Sequence, residues 1–333
     1  MRWWLEALAP EPALLYNHST MGNHIAARRR GKRLEMARQR IADAVKTGRV
    51  LVSDGAWGTF LHKLGLQPGQ CPELWNAERF DEVRAVAASY IAAGSDMVET
   101  NTFGGSSLKL DHYGLAGRAA ELNEAAARAS REAAGEERWV IASMGPTGKL
   151  LMMEEVTEQE LYDSFKEQAM ALEKGGADAV CIETMSDRDE ACIAIRAVKE
   201  NTNLEIMATF TFERTVRGDY RTMMGLAPVP AAEAALEAGA DIIGANCGNG
   251  FERMIDIVRE IRAALPGVPI LVQANAGLPV TVGGVVTFPE TPEAMAARVG
   301  GLIEAGANII GGCCGTTPEH IRAIKAAVAE HSK

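Results

Sequence analysis

The chain has 333 residues, a length that allows two ordinary domains or one large α/β barrel. With 47% hydrophobic and 23% charged residues it can bury a large core, which excludes general disorder, while 33 glycines and only 5% aromatics disfavour an all-β sandwich. The net charge of −10 is uneven: residues 1–49 hold ten Lys or Arg against four Asp or Glu, so the remainder carries −16, and an acidic body excludes nucleic acid as the main partner.

The opening MRWWLEALAPEPALLYNH lacks the basic-then-apolar order of a secretory signal, because Glu6 and Pro10 interrupt it. No apolar run approaches the roughly 18 residues of a membrane span, so no membrane association is expected and the expected location is cytoplasmic. Arg28, Arg29, Arg30, Lys32 and Arg33 read as a solvated helix face. Residues 1–35 form a tail to which no function is assigned, and residues 36–333 form one domain. Its leading helix shows apolar positions Leu34, Ala37, Ile41 and Val45 at spacings of three and four, with Gly48 as its stop.

Beyond Arg49, short apolar runs alternate with Ala-rich stretches of helical period, the order of parallel strands joined by crossover helices. Eight runs are expected as strands: 50–53, 97–100, 140–143, 179–183, 205–210, 242–245, 270–273 and 308–311. The segments AGSDMVET, GGADAVCIET, AGADIIGANC and AGANIIGGCC introduce every second run, an internal echo of helix end, glycine and strand. The expected fold is therefore an α/β (β/α)8 TIM barrel, a single domain with an N-terminal helical extension; an open doubly wound sheet is the alternative.

Barrel chemistry belongs at the C-terminal ends of strands. There the chain places Asp54, Glu99 and Asn101, Glu183 and Thr184, Asn246 and Cys247, Asn275, and the vicinal pair Cys313 and Cys314. A disulfide between adjacent cysteines would close a strained ring, and a cytosolic location disfavours stable disulfides. Cys247, Cys313 and Cys314 instead suit zinc, leaving a fourth position for water or a weak ligand such as Asn275; the alternative is three buried core thiols. Cys71, Cys181 and Cys192 are expected to be bystanders. Zinc on three thiolates is electron-rich, so it activates water poorly and suits the capture of a substrate thiol as a nucleophile. Alkyl transfer to a thiol follows, with metal-assisted hydrolysis as the alternative.

The segments DGAWGT (54–59), ETNTFGG (99–105), MGPTGK (144–149), IET (182–184), GANCGNG (244–250), ANAGLP (274–279) and GGCCGTTPEH (311–320) resemble the signatures of the homocysteine S-methyltransferase family. That family includes the homocysteine-binding module of cobalamin-dependent methionine synthase and betaine-homocysteine methyltransferase. The likeness runs in order from Val50 onward. It implies zinc at Cys247, Cys313 and Cys314, with Asn275 as an exchangeable fourth ligand, and an amine of homocysteine held by Asp54 and Glu183. Gly55 offers its backbone to the substrate carboxylate without steric cost. Asn101, with Glu99, lines or braces the pocket, and Thr316 and Thr317 cap the helix that starts near Pro318. Trp57 reads equally as a lid or as a packing residue.

Many relatives carry a proline where this chain has QANAG and GANCGNG, a difference confined to loops that admit the donor. The resemblance implies a zinc-dependent enzyme that moves a methyl group to the thiolate of homocysteine, forming methionine. Methylcobalamin or a methylated corrinoid protein is the favoured donor. As 333 residues leave no room for folate and cobalamin modules, that donor is expected to arrive free or on a separate protein. The alternatives are S-methylmethionine or a betaine-type onium donor, a corrinoid-linked enzyme with another thiol acceptor, and a non-catalytic zinc-stabilised barrel that binds a partner.

Overall fold

The computed structural model describes residues 39–283 and 285–331. Eight parallel strands carry the fold: β1 (Leu51–Val52), β2 (Met97–Glu99), β3 (Trp139–Met144), β4 (Ala179–Met185), β5 (Glu205–Phe210), β6 (Ile242–Asn246), β7 (Ile270–Ala274) and β8 (Ile309–Gly312). Each coincides with an expected run to within two residues at either end. The ladder order is β1-β8-β7-β6-β5-β4-β3-β2, so the first strand pairs with the last. That pairing makes a (β/α)8 barrel and sets aside the open sheet.

The principal helices are α1 (Ile41–Lys46), α2 (Phe80–Ala93), α3 (Ala119–Ala134), α4 (Glu158–Gly175), α5 (Arg188–Asn201), α6 (Pro228–Ala238), α7 (Phe251–Ala264), α8 (Val299–Ala305) and α9 (Pro318–His331). The compact unit that holds the barrel runs from Ile41 to Lys333. Leu34, Ala37 and the expected boundary at residue 35 lie outside the described residues.

α1 stoppers the N-terminal end of the barrel. Its buried Ile41, Ala42, Ala44 and Val45 meet the first residues of the strands, among them Leu51, Met97, Ala179, Ile242 and Ile309. Each fully buried Ile contributes about 1.5–3 kcal/mol relative to exposure. The first turn of any helix has unpaired N–H groups. Here the Glu205 carboxylate at the start of β5 accepts those of Ile41 and Ala42 at 2.6 and 2.7 Å.

The internal echo has a physical cause. α2, α4, α6 and α8 end on Gly94, Gly176, Gly239 and Gly306, all left-handed with φ between 103° and 118°, where a Cβ would be strained. Two residues later come Asp96, Asp178, Asp241 and Asn308. Each donates its N–H to a carbonyl at the start of the preceding strand, on Val52, Val140, Ile206 and Ile270 respectively. Each side chain accepts the N–H of that same residue, at 2.8–3.0 Å. The repeated Asp or Asn therefore locks an even strand to the odd strand before it, and the barrel is four βαβα quarters.

Between β1 and β2 this lock does special duty, because that pair alone among neighbouring strands has no ladder. Asp96 joins the strands at one end, and at the other the Asp54 carboxylate accepts the Glu99 N–H at 2.8 Å.

Candidate active site

The C-terminal ends of the strands enclose a cavity of about 240 Å³, at the small end of ligand sites. Trp57, Glu73, Glu99, Asn101, Phe103, Ser143, Glu183, Thr184, Gln273 and the three strand-end cysteines line it. No Lys, Arg or His is among the described lining residues.

The thiols of Cys247, Cys313 and Cys314 lie within 4.8 Å of one another, the one group of potential metal ligands among the described residues. Cys247 follows β6 in a left-handed conformation, φ 57°, and the vicinal pair follows β8. Thiol hydrogen bonds from Cys313 and Cys314 hold Cys247 far below the usual thiol range, and its thiolate pushes both of them up. The side chain of Asn275, 3% exposed, bonds the Cys247 sulfur, yet its Oδ1 has no partner. Three soft sulfurs beside an orphaned buried acceptor fit a thiophilic ion with one position left for substrate. Cys71, Cys181 and Cys192 stand apart; Cys71 bonds Glu73 and Cys192 bonds the Ala234 carbonyl.

Three carboxyl groups gather at the same strand ends as the thiols: Asp54 just after β1, Glu99 on β2 and Glu183 on β4. Glu183 on β4 receives hydrogen bonds from the Ser143 hydroxyl and, at 3.0 Å, from Asn246 Nδ2. Burial pushes its pKa up to about 7, opposed by the Ser143 bond and reinforced by Cys247 and Asp54. Glu99 receives Gln273 Nε2 at 2.8 Å and is raised well above the usual range, first by burial and then by Glu183 and Asp54. Asp54 is fully buried behind this wall and does not line the cavity. Its Oδ2 accepts from Glu99 N and, at 3.0 Å, from Trp57 Nε1, and burial lifts it to about 7 despite those bonds.

Gly55 also lies outside the cavity lining. A Cβ there would stand 2.7 Å from Thr316 Oγ1 and 2.9 Å from Tyr90, so the residue permits close packing of the first turn. Asn101 lines the cavity while bracing its rim, donating to the Pro72 carbonyl and Asn76 at 2.8 and 2.9 Å. Thr316 differs from its expected capping role. Its hydroxyl donates to Cys313 O at 2.7 Å and accepts Ala56 N at 3.0 Å, so it is spent tying the cysteine loop to the first turn. Thr317 remains at the start of α9, where its carbonyl accepts Ile321 N. Trp57 is a wall, 8% exposed and tethered to Asp54.

Ser143, Gln273 and Glu73 were not singled out from sequence. A polar Gln inside the apolar run ILVQA was the available signal for Gln273; Glu73 lies in a single 3-10 turn, Pro72–Leu74, with no motif.

The fold and site define a barrel whose strand ends hold a cavity lined by carboxyls and three clustered thiols. Residues 51–328 match the family described as homocysteine S-methyltransferase, and the chain belongs to that family. It is 35% identical over 304 residues to a methionine synthase of Mycobacterium tuberculosis, covering 86% of this chain and 25% of the relative. A methionine synthase of Mycobacterium leprae is likewise 35% identical over 300 residues, covering 84% of this chain and 24% of the relative. The chain thus spans about a quarter of the length of these relatives. Among solved structures, the homocysteine methyltransferase MmuM of Escherichia coli shares the fold. Its metallated form has TM-score 0.67 at 21% identity, covering 83% of this chain and 96% of that one, and its oxidised form has TM-score 0.66 at 23%, covering 83% and 95%. Among the described residues no helix is long and apolar enough to cross a membrane.

Proposed function

We propose that this chain transfers a methyl group to the thiol of homocysteine, forming methionine, with zinc at Cys247, Cys313 and Cys314. The observation that carries the reading is the cavity itself: three clustered thiols, Glu99 and Glu183 in one lining, Asp54 buried next to Glu99, and no basic residue in the described lining. Such a field selects cations, and homocysteine brings an ammonium on the same short chain as its thiol. Glu183 and Glu99 take the ammonium, whose positive charge favours the ionised forms of these raised carboxyls, with Asp54 buried beside Glu99. With Gly55 outside the lining, the substrate carboxylate falls to the lining turn that follows it, residues 56–59. Asn275, with its unpartnered Oδ1, serves as the exchangeable fourth ligand.

When bound, zinc lowers the pKa of a ligating thiol so that sulfur is a nucleophile near neutral pH. The residues of the chain do the rest. The carboxylates fix the ammonium, so the sulfur has little orientational freedom, and Trp57 and Phe103 give the cavity apolar walls. The substrate sulfur forms a bond to the methyl carbon as the donor departs with the electron pair.

The rim supports a large donor, methylcobalamin on a corrinoid protein. Met152 and Met153 after β3, Val216 and Met223 after β5, and Leu278 and Val286 after β7 are all exposed on the C-terminal side. An onium donor is the second reading, favoured by the aromatic faces of Trp57 and Phe103 in an acidic cavity. The test is methionine formation from homocysteine with methylcobalamin, a methylated corrinoid protein, S-methylmethionine, S-adenosylmethionine and glycine betaine in separate assays. No methionine from any donor would sink the proposal.

A further inference from the structure

We infer that Asn246 is a positioning residue that sets the Glu183 carboxylate for the substrate amine and ties it to the backbone entering Cys247; the inference rests on the reading of Glu183 given above. Asn246 ends β6, is fully buried and immediately precedes Cys247. A side-chain amide has two donor hydrogens and two acceptor lone pairs. Asn246 uses all four: Nδ2 donates to Glu183 Oε2 at 3.0 Å and to Thr184 Oγ1 at 2.8 Å, while Oδ1 accepts from Thr184 N at 2.8 Å and Thr209 Oγ1 at 2.9 Å. One side chain thereby joins β4, β5 and β6.

The neighbouring backbone explains why such a clamp is needed. Thr184 and Cys247 have φ of 59° and 57°, two of the three non-glycine residues in the left-handed region among those described. That conformation costs a β-branched residue free energy and persists only where surroundings over-determine it. For Thr184 the surroundings are Asn246, which holds both its N–H and its hydroxyl. For Cys247 they include the peptide entering it, whose carbonyl, on Asn246, accepts Thr211 Oγ1 at 2.9 Å. Glu183 is gripped at its other oxygen by Ser143, so Asn246 decides the last freedom of that carboxylate. A brace that served stability alone would not need its donor half on a cavity-lining carboxylate.

The test uses the zinc-loaded full chain and calorimetric affinities for homocysteine and for 4-mercaptobutyrate, which has the same chain, thiol and carboxylate without the amine. Melting temperature and zinc content are recorded for each protein. The ratio of the two affinities measures how well the cavity reads the amine. Asn246→Ala is expected to lower that ratio about tenfold or more, as befits a displaced charge-assisted hydrogen bond. Thr209→Val, which removes the bond to Oδ1 and the hydroxyl's contact with the buried Cys181 at nearly constant volume, is expected to lower it severalfold, and it decides the matter if Asn246→Ala does not fold. A ratio within about twofold of wild type in a cooperatively melting variant overturns the inference. A wild-type ratio near one overturns instead the reading of Glu183 as an amine acceptor, and this inference with it.

Discussion

Asp54 Oδ2 accepts the backbone N–H of Glu99 at 2.8 Å, across the one pair of neighbouring strands that has no ladder. A site carboxylate thus completes the barrel at its C-terminal end. Its neighbour Glu99 is the group that reaches the cavity. Fold closure and the acidity of the site are consequently one arrangement.

That arrangement makes stability depend on pH in a defined direction. Burial lifts Asp54 from 3.8 to about 7, so between those values the folded protein holds a proton that the unfolded chain has lost. The contribution is full below the unfolded pKa and disappears as pH rises through the folded one. Compared with Asp54→Asn, which does not titrate, the zinc-free wild type should lose about 2 kcal/mol between roughly pH 5 and 8. Urea denaturation of both proteins at both pH values checks this, and a difference that is flat or grows with pH would contradict it.

Removal of any one of the three clustered thiols should release the metal. Cys247→Ala, Cys313→Ala and Cys314→Ala are each expected to drop zinc from about one ion per chain to near zero after dialysis, and to abolish homocysteine binding. Cys192→Ala, whose sulfur bonds only the Ala234 carbonyl by hydrogen bond, should retain both. Elemental analysis with a homocysteine titration decides, and a Cys314→Ala protein that keeps its zinc would refute the ligand set.

At the opposite end of the barrel, Glu205→Ala strips the carboxylate from the first turn of α1 and leaves Ile41 N and Ala42 N without it. The expected cost is about 3 kcal/mol, the scale of two charged hydrogen bonds. Because the whole length of the barrel separates Glu205 from the thiols, zinc content and homocysteine affinity should stay at wild-type values. Thermal melting beside the two binding assays tests the separation; coupled losses in a folded variant would contradict it.

The apolar rim gives a prediction about the donor. Met223, 81% exposed, and Met152, 70% exposed, stand away from the cavity lining. Met223→Glu and Met152→Glu should slow methyl transfer from a methylated corrinoid protein about fivefold or more while leaving transfer from free methylcobalamin unchanged. Equal effects on both donors would mean that the rim does not receive a protein.

Much of the fold was legible because its signals are local. Strand runs, helical periods and C-cap glycines each depend on residues a few positions apart, so eight units could be counted along the chain. The cysteines were legible as a set because strand ends of a barrel share one face. Thr316 was misread because a threonine before Pro318 has the local pattern of a cap, whereas its partners, Ala56 and Cys313, are brought to it by barrel closure.

By itself, then, the sequence determined the unit count, the order of strands and helices, and that the three thiols with Glu99 and Glu183 reach the C-terminal face. Tertiary structure alone decided that Asp54 closes a seam behind Glu99, that the cavity lining holds acids without a described basic residue, and that Asn246 links Glu183 to the Cys247 turn. The physical reason is range. These contacts join residues 45 and 63 positions apart, Asp54 with Glu99 and Glu183 with Asn246, and no periodicity along the chain encodes which buried carboxylate faces a donor and which faces the ligand.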